Sequence, residues 1–296
     1  MRKPEWSLVQ FVVADEPKPQ PGVLVGETIR RAPKKWPSTV AGILDAWREW
    51  ESELRAIDVD ALEIVPDAQL VAPITFPRKV ICAGVNYYDH AEEMGTARPD
   101  PTGAPYFFLK PPTTTVVGTG AEIQLPEGDA RVDWEAELAI VIADRCKNVS
   151  LDDAREHVAG YLVANDLSAR GLFPRPAAVF PAFAWDWFSH KAPDGFCPIG
   201  PGVVPEWLVT DPDNLAITLS VNGVTKQESN TSNMVVAVDR LISEASRYVT
   251  LEPGDIILTG TPAGVGMPRQ EFLAAGDLMV VEIDGIGRIQ NRIVGE

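Results

Sequence analysis

Two apolar runs open the chain, residues 6–13 (WSLVQFVV) and 22–29 (GVLVGETI), with a proline-rich stretch between them. Short apolar runs bounded by turn formers predict strands, so the pair reads as a hairpin closed by a Pro-rich turn. Over residues 40–55 the period changes. Ile43, Trp47, Trp50 and Leu54 recur at helical spacing with charges between them, which predicts one amphipathic helix opened near Ser38 or Thr39. Pro66, Pro73 and Pro77 then interrupt the pattern. From Val80 onward, short β-rich runs alternate with Gly/Pro turns: VICAGV, YFFLK, TTTVVG, ELAIVIA, GYLVAN, LAITLSV, DIILTG and LMVVEI. Two more helices are expected. One follows the capping-box pattern at Ser150 and runs to about Val158, and the other carries Val238, Leu241, Ile242, Ala245 and Val249. Residues 91–105 and 171–190 fit neither period. The second stretch carries six large aromatics, which argues against disorder there.

Composition narrows the function. Hydrophobic residues make up 45% and charged residues 23% of 296, the mix of a soluble globular protein with a sizeable core. Lysine and arginine number 26 against 42 acidic residues, a formal net charge of −16 with no basic run, so nucleic acid and anionic lipid are not expected partners. An anionic ligand must be captured locally, by a metal or a few placed cations. Cys82, Cys146 and Cys197 form no disulfide framework or zinc-site spacing, which suits a reducing cytoplasm. The run Leu8–Ala14 is short, broken by Gln10 and followed by Asp15 and Glu16. It reads as a first strand rather than a signal peptide, and no run reaches the ~18 apolar residues of a membrane helix.

Four clusters could carry chemistry. In Asp133-Trp134-Glu135-Ala136-Glu137, carboxylates at every second residue of a strand share a face. If that face is buried, their repulsion calls for a divalent cation; if it is solvated, it needs none. Asp166, after the run GYLVAN and close to Arg170, suits a third oxygen ligand, and equally a turn aspartate or ion-pair partner. His90 and Glu93 become one-face neighbours if Asn86–Glu93 opens a helix, which suits an oriented general base or a surface contact. His157 reads as a helix-surface residue and His190 adjoins Lys191 with no evident partner. The loop Leu258–Gly266 is glycine-rich, but no Gly-Lys-Ser/Thr follows and no helix opens there, so it is neither a P-loop nor a dinucleotide fingerprint.

In this order, six motifs resemble the fumarylacetoacetate hydrolase superfamily: VICAGVNYYDHAEE (80–93), DWEAELAIVI (133–142), GYLVANDLSAR (160–170), KAPDGFCPIGP (191–201), VNGVTKQ (221–227) and LEPGDIILTGTPAGVG (251–266). The resemblance covers about residues 76–296. It implies an α+β protein, with a mixed β-roll or barrel catalytic domain over 76–296, a small N-terminal α/β domain over 1–75, and a homodimer. It also implies Glu135, Glu137 and Asp166 as ligands of Mg²⁺, or of Mn²⁺ or Ca²⁺. His90 supported by Glu93 would be the base, and Lys191 a cation at the substrate oxyanion. Tyr87, Arg170, Phe173 and Thr261 would line the substrate. The implied partner is a small 2-oxo acid, with no nucleic acid and no membrane.

That chemistry suits the residues. A 2-oxo acid can chelate a divalent cation, whose Lewis acidity favours an enolate, and Lys191 adds positive charge where negative charge develops. The expected reaction is hydrolysis of a C–C bond in an acylpyruvate- or fumarylpyruvate-like 2,4-dioxo acid. The alternative is a lyase or isomerase, such as an oxaloacetate decarboxylase or 2-oxo-dienoate isomerase. A non-catalytic metal-binding relative is the third reading, and the intact ligand set and Lys191 speak against it. One departure matters. Hydrolytic members generally carry Asp and Gln where this chain has Gly171 and Phe173. Neither can hydrogen-bond water through its side chain, which favours a bulkier, more apolar substrate or a non-hydrolytic reaction.

Overall fold

The computed structural model describes residues 1–295. Nine strands of an eleven-stranded mixed sheet run in the order Thr28–Arg31, Glu16–Val25, Ser7–Val13, Cys197–Pro205, Val158–Asn165, Ala136–Ile142, Ile256–Leu258, Val80–Gly84 and Tyr106–Lys110. The first and last of these are edges, so the sheet is an open one and the expected roll does not close into a barrel. A five-stranded sheet, ordered Val224–Asn230, Ala216–Val221, Leu278–Ile283, Gly287–Val294 and Glu122–Gln124, packs on one face.

The strand Ala136–Ile142 is buried from end to end, and its alternation divides two cores. Leu138 and Ile140 face Ile217, Val281 and Ile289 of the smaller sheet. Ala139 and Val141 face Ile43, Leu44, Trp47 and Leu54 of the N-terminal helices. Each such large side chain, fully withdrawn from water, contributes roughly 1.5–3 kcal/mol. Close strand approach is set by glycine at one point: a Cβ on Gly160 would lie 2.2 Å from the Val204 carbonyl oxygen.

Four expectations change. The first hairpin turns at Ala14-Asp15, with Val13 opposite Glu16, and the proline-rich stretch is its second strand. The Pro21 carbonyl faces away from the first strand, toward the Ala32 N–H. Pro17 and Pro19 fall in the register shift between Glu16 and Gln20, where neither neighbouring strand pairs with them, so no ladder bond is lost. The expected helix over 40–55 breaks at Ala46 into Val40–Asp45 and Trp47–Arg55; Thr39 caps the first by accepting the Gly42 N–H. Ser150 accepts the Asp153 N–H at 3.2 Å, as a cap should, yet only a 3₁₀ turn, Ala154–His157, follows. The nine-residue strand Cys197–Pro205 was hidden by Pro198, Pro201 and Pro205. It pairs with both Ser7–Val13 and Val158–Asn165 and so joins the N-terminal strands to the rest of the sheet.

Candidate active site

Backbone pairing brings the first three carboxylates together. Ala136 lies opposite Asn165 in the antiparallel ladder, so Glu135, Glu137 and Asp166 leave neighbouring strand ends. The Asp166 N–H donates to the Glu135 carbonyl at 2.8 Å, and Asn165 Oδ1 accepts the Glu135 N–H at 2.9 Å. Gln227 and Thr261 hold the intervening residue: Gln227 Oε1 accepts the Ala136 N–H at 2.9 Å, and Thr261 Oγ1 donates to the Ala136 carbonyl at 2.9 Å. The three carboxylates are buried, and one oxygen from each lies within 4.8 Å of the others.

Asp133 does not join them. The chain is not one strand through 133–137. Asp133 belongs to a separate two-residue strand opposite Ser168, and its carboxylate accepts the N–H groups of Trp134, Gly266 and Met267. It is a buried structural anchor, with Arg170 Nε at 3.0 Å.

Cations surround the cluster. Lys191 Nζ reaches Glu135 Oε2 at 2.8 Å and Asp166 Oδ2 at 2.7 Å. Arg170 Nη2 donates to Glu135 Oε1 at 2.5 Å. Lys110, at the end of an edge strand, pairs with the other oxygen of Asp166 and donates to the Leu167 carbonyl at 3.0 Å. Burial works to raise the Glu135 carboxyl, but Lys191 and then Arg170 outweigh it and hold the group well below the ordinary range. Burial works to lower Lys191, and Asp166 and Glu135 outweigh that in turn. Glu137 is the exception. Burial, then repulsion from Asp166 and Glu135, push it well above the usual carboxylate range. Its Oε2 accepts the Gly260 N–H at 2.5 Å, but no ammonium or guanidinium pairs with it among the described residues. Counting Asp133, which shares Arg170 with Glu135, four carboxylates meet three cations, and Glu137 is the one left without a partner. An all-oxygen, partly uncompensated donor set of this kind fits a hard divalent cation.

Residues Tyr88–Glu93 form the helix that the sequence allowed, and His90 Nδ1 lies 3.6 Å from Glu93 Oε2. Glu93 also accepts the Gly264 N–H at 2.9 Å, which ties the helix to the glycine-rich loop, and Asp89 accepts from Ser229 Oγ at 2.5 Å, which ties it to the strand Val224–Asn230. Burial works to raise Glu93, but His90 and the Gly264 N–H prevail and lower it. His90 is within electrostatic reach of Glu135, where it adds to the lowering. Tyr87 sits in the core with its hydroxyl fully buried, not on an open face. The Thr261 hydroxyl is taken up by the Ala136 carbonyl and by Gln227 Nε2 at 2.8 Å, so it orients the strand that carries Glu137.

Phe173 is half-buried in an aromatic cluster. It stacks on His190, ring centroids 4.3 Å apart, and lies 5.0 Å from both Trp185 and Trp187. Burial, then Lys191 and Arg170, push His190 down to about 2, so its imidazole is neutral. Gly171 passes so close to the chain that a Cβ would sit 1.8 Å from the Asp129 carbonyl oxygen, which excludes an aspartate on this backbone. The sequence assigns no role to Lys110 or Gln227, and it leaves His190 without a partner. Gln227 lay inside a quoted motif; Lys110 ends an apolar run and carries no local signal.

Among the described residues no helix is long and apolar enough to cross a membrane. Residues 79–294 match the fumarylacetoacetate (FAA) hydrolase C-terminal family. Oxaloacetate tautomerase fahd2, mitochondrial, of Xenopus laevis is 40% identical, covering 97% of this chain and 90% of its own length. A fumarylacetoacetate hydrolase from Exiguobacterium antarcticum superposes with a TM-score of 0.82 at 33% identity, over 98% of this chain and 100% of that one. A maleylpyruvate hydrolase from Sphingobium sp. SYK-6, in complex with manganese(II) and pyruvate, gives a TM-score of 0.76 at 29% identity, over 98% and 99% of the two chains. With its six ordered motifs, its buried carboxylate cluster and these matches over nearly its whole length, the chain belongs to the fumarylacetoacetate hydrolase family.

Proposed function

We propose that this enzyme is a divalent-metal tautomerase or isomerase that interconverts the keto and enol forms of a 2-oxo acid. The observation that carries the reading is the buried Glu135–Glu137–Asp166 cluster with the Lys191 ammonium fixed on two of its members. These three side chains would hold a divalent cation, Mg²⁺ by preference, with Mn²⁺ and Ca²⁺ as the other hard ions such a set accepts. When bound, the ion supplies Lewis acidity to the 2-oxo group.

The chain's own residues do the rest. Glu93 Oε2, 3.6 Å from His90 Nδ1, favours the tautomer that carries its proton on Nδ1, which leaves Nε2 as the base that takes the proton from C3. The Lys191 ammonium faces the oxygen on which negative charge develops, and the same proton returns to that oxygen or to carbon. Arg170 keeps Glu135 ionised and in place. Isomerisation moves only a proton, whereas hydrolysis also needs a positioned water. Position 173 presents a ring and position 171 no side chain, which favours the first. The relative named as an oxaloacetate tautomerase agrees with this reading.

A second reading is hydrolysis of a C–C bond in a 2,4-dioxo acid, favoured by the His90–Glu93 pair and by the likeness to a maleylpyruvate hydrolase. The test follows enol absorbance of oxaloacetate with Mg²⁺ or Mn²⁺, beside release of pyruvate from acylpyruvates and from oxaloacetate. Accelerated enol decay without pyruvate, abolished by chelation and lowered roughly 10²–10³-fold by Lys191→Met, is expected. Pyruvate release as the faster process would replace isomerisation by hydrolysis or decarboxylation. A cytoplasmic homodimer belongs to the same reading, and sedimentation velocity tests the dimer.

A further inference from the structure

The aromatic cluster beside the carboxylates is continuous with the catalytic ammonium. Lys191 Nζ, bonded to Glu135 and Asp166, lies 5.2 Å from the centre of the Phe108 ring. Trp187 lies 4.9 Å from Phe108 and 5.0 Å from Phe173. Tyr106 and Trp185 extend the surface outward, 51% and 56% exposed. A 2-oxo acid whose reacting end sits at the carboxylates can extend its other end along these rings.

We infer that the substrate's distal group is an aromatic or similarly flat apolar group: the site takes arylpyruvate-type 2-oxo acids in preference to short dicarboxylic ones such as oxaloacetate. The inference rests on the proposed enolising function and names its substrate class. Two further facts support it. The cations touching the cluster are committed: Arg170 to Asp133 and Glu135, Lys191 to Glu135 and Asp166, Lys110 to Asp166. His190, which backs Phe173, is neutral, with the Arg170 Nη1 group 3.5 Å from its Nε2. A second carboxylate laid on the faces of Phe108, Trp187 and Phe173 would meet negative quadrupoles and lose its water there, and the arginine of this stretch, Arg175, lies at its rim with Asp186 3.9 Å away. An aryl group would stack edge or face against Trp187 and Phe108.

The experiment uses the full chain loaded with Mg²⁺ and compares phenylpyruvate with oxaloacetate in two ways. Turnover is read as enol–keto interconversion, and binding is read by calorimetry, which needs no turnover. Phenylpyruvate is expected to lead in kcat/KM and in affinity by roughly ten- to a hundred-fold, the range one apolar subsite can discriminate. Trp187→Ala should remove that lead, chiefly through KM, and Trp187→Phe should restore most of it. Trp185→Ser, at an exposed ring, should lower the lead partway and covers the case in which Trp187→Ala fails to fold. Equal or stronger binding of oxaloacetate overturns the inference, as does a Trp187→Ala change that lowers both ligands alike. If phenylpyruvate binds preferentially but neither acid is interconverted, the substrate class stands and the enolising function falls. If the tryptophan variants alter only self-association in sedimentation, the aromatic surface is an interface between copies and the inference is wrong.

Discussion

The carboxylate cluster and the aromatic stretch that follows Arg170 lie side by side but are held by different forces. Glu135, Glu137 and Asp166 project from paired strands, and each is located by ladder bonds, by Asn165 and by the Gln227–Thr261 clamp on Ala136. Little freedom remains there, and every charge but that of Glu137 meets a cation. Residues 173–186 have one short 3₁₀ turn, Pro181–Phe183, and a few backbone bonds, such as Asp186 N–H to the Phe173 carbonyl at 2.8 Å, before the short helix Trp187–Lys191 begins. Ring stacking supplies the rest, and Phe188 and Val179 are 75% and 85% exposed. Chemistry that needs fixed charge therefore resides on the sheet, where backbone geometry is over-determined. The aromatic stretch can change without disturbing the sheet, and on the inference above it would meet the substrate's distal group together with Phe108 of the edge strand.

The sharpest way to break this contrast is to remove one cation from the rigid side. Lys110→Met strips Asp166 of one of its two partners inside the core, and loss of a buried ion-pair partner costs about 3–5 kcal/mol. Urea unfolding should show a drop of that size. A drop below ~1 kcal/mol would mean that Lys191 alone compensates Asp166. At the junction between the regions, Gly171→Asp forces a Cβ into the Asp129 carbonyl. Overpacking of this kind costs roughly 1–3 kcal/mol, so the variant should melt lower and gain no hydrolysis of acylpyruvates. Restored hydrolysis at unchanged melting temperature would show that the backbone relaxes to accept the side chain.

On the other side, Trp185→Ser removes an exposed ring and should change stability by no more than about 0.5 kcal/mol while altering ligand preference. A larger loss would make the stretch part of the core. The smallest effect is expected far from both regions. Burial works to raise the Glu51 carboxyl, but Arg55 and Arg48 outweigh it and lower it. A depressed carboxylate stabilises the folded chain above its unfolded pKa and loses that contribution as pH falls through the folded value. Glu51→Gln should therefore cost about 0.3–0.5 kcal/mol at pH 7, and the difference from the parent should vanish in acid, once the pH has fallen through the lowered folded-state pKa. Chemical denaturation at pH 7 and in acid measures it. A difference that persists in acid would assign the effect to packing.

Much of the site was legible because its motifs are local. Glu135 and Glu137 alternate on a strand, and His90 and Glu93 are helical neighbours, so each pair is placed by spacing alone. Asp133 shows the limit of that reasoning. Alternation put it on the same face as the glutamates, but the chain breaks its strand after Asp133, and Arg170 with two loop N–H groups claims the carboxylate. Lys110 was illegible for a complementary reason. Its partner lies 56 residues away, and a lysine closing an apolar run reads as a solvated strand end until the fold covers it.

By itself the sequence determined the β-rich texture, the helix over Val238–Tyr248, the acidic balance and the ordered motifs of the family, because these depend on residue type and short-range period. Only the tertiary structure decided which carboxylates meet, since that follows from the register setting Ala136 opposite Asn165. It also decided that prolines at 17, 19 and 21 lie within a strand, because whether a missing N–H matters depends on which edge is paired. And it turned His190 from a residue without a partner into the neutral floor beneath Phe173, because burial and the nearby Lys191 and Arg170 charges act through space and leave no mark in the sequence around it.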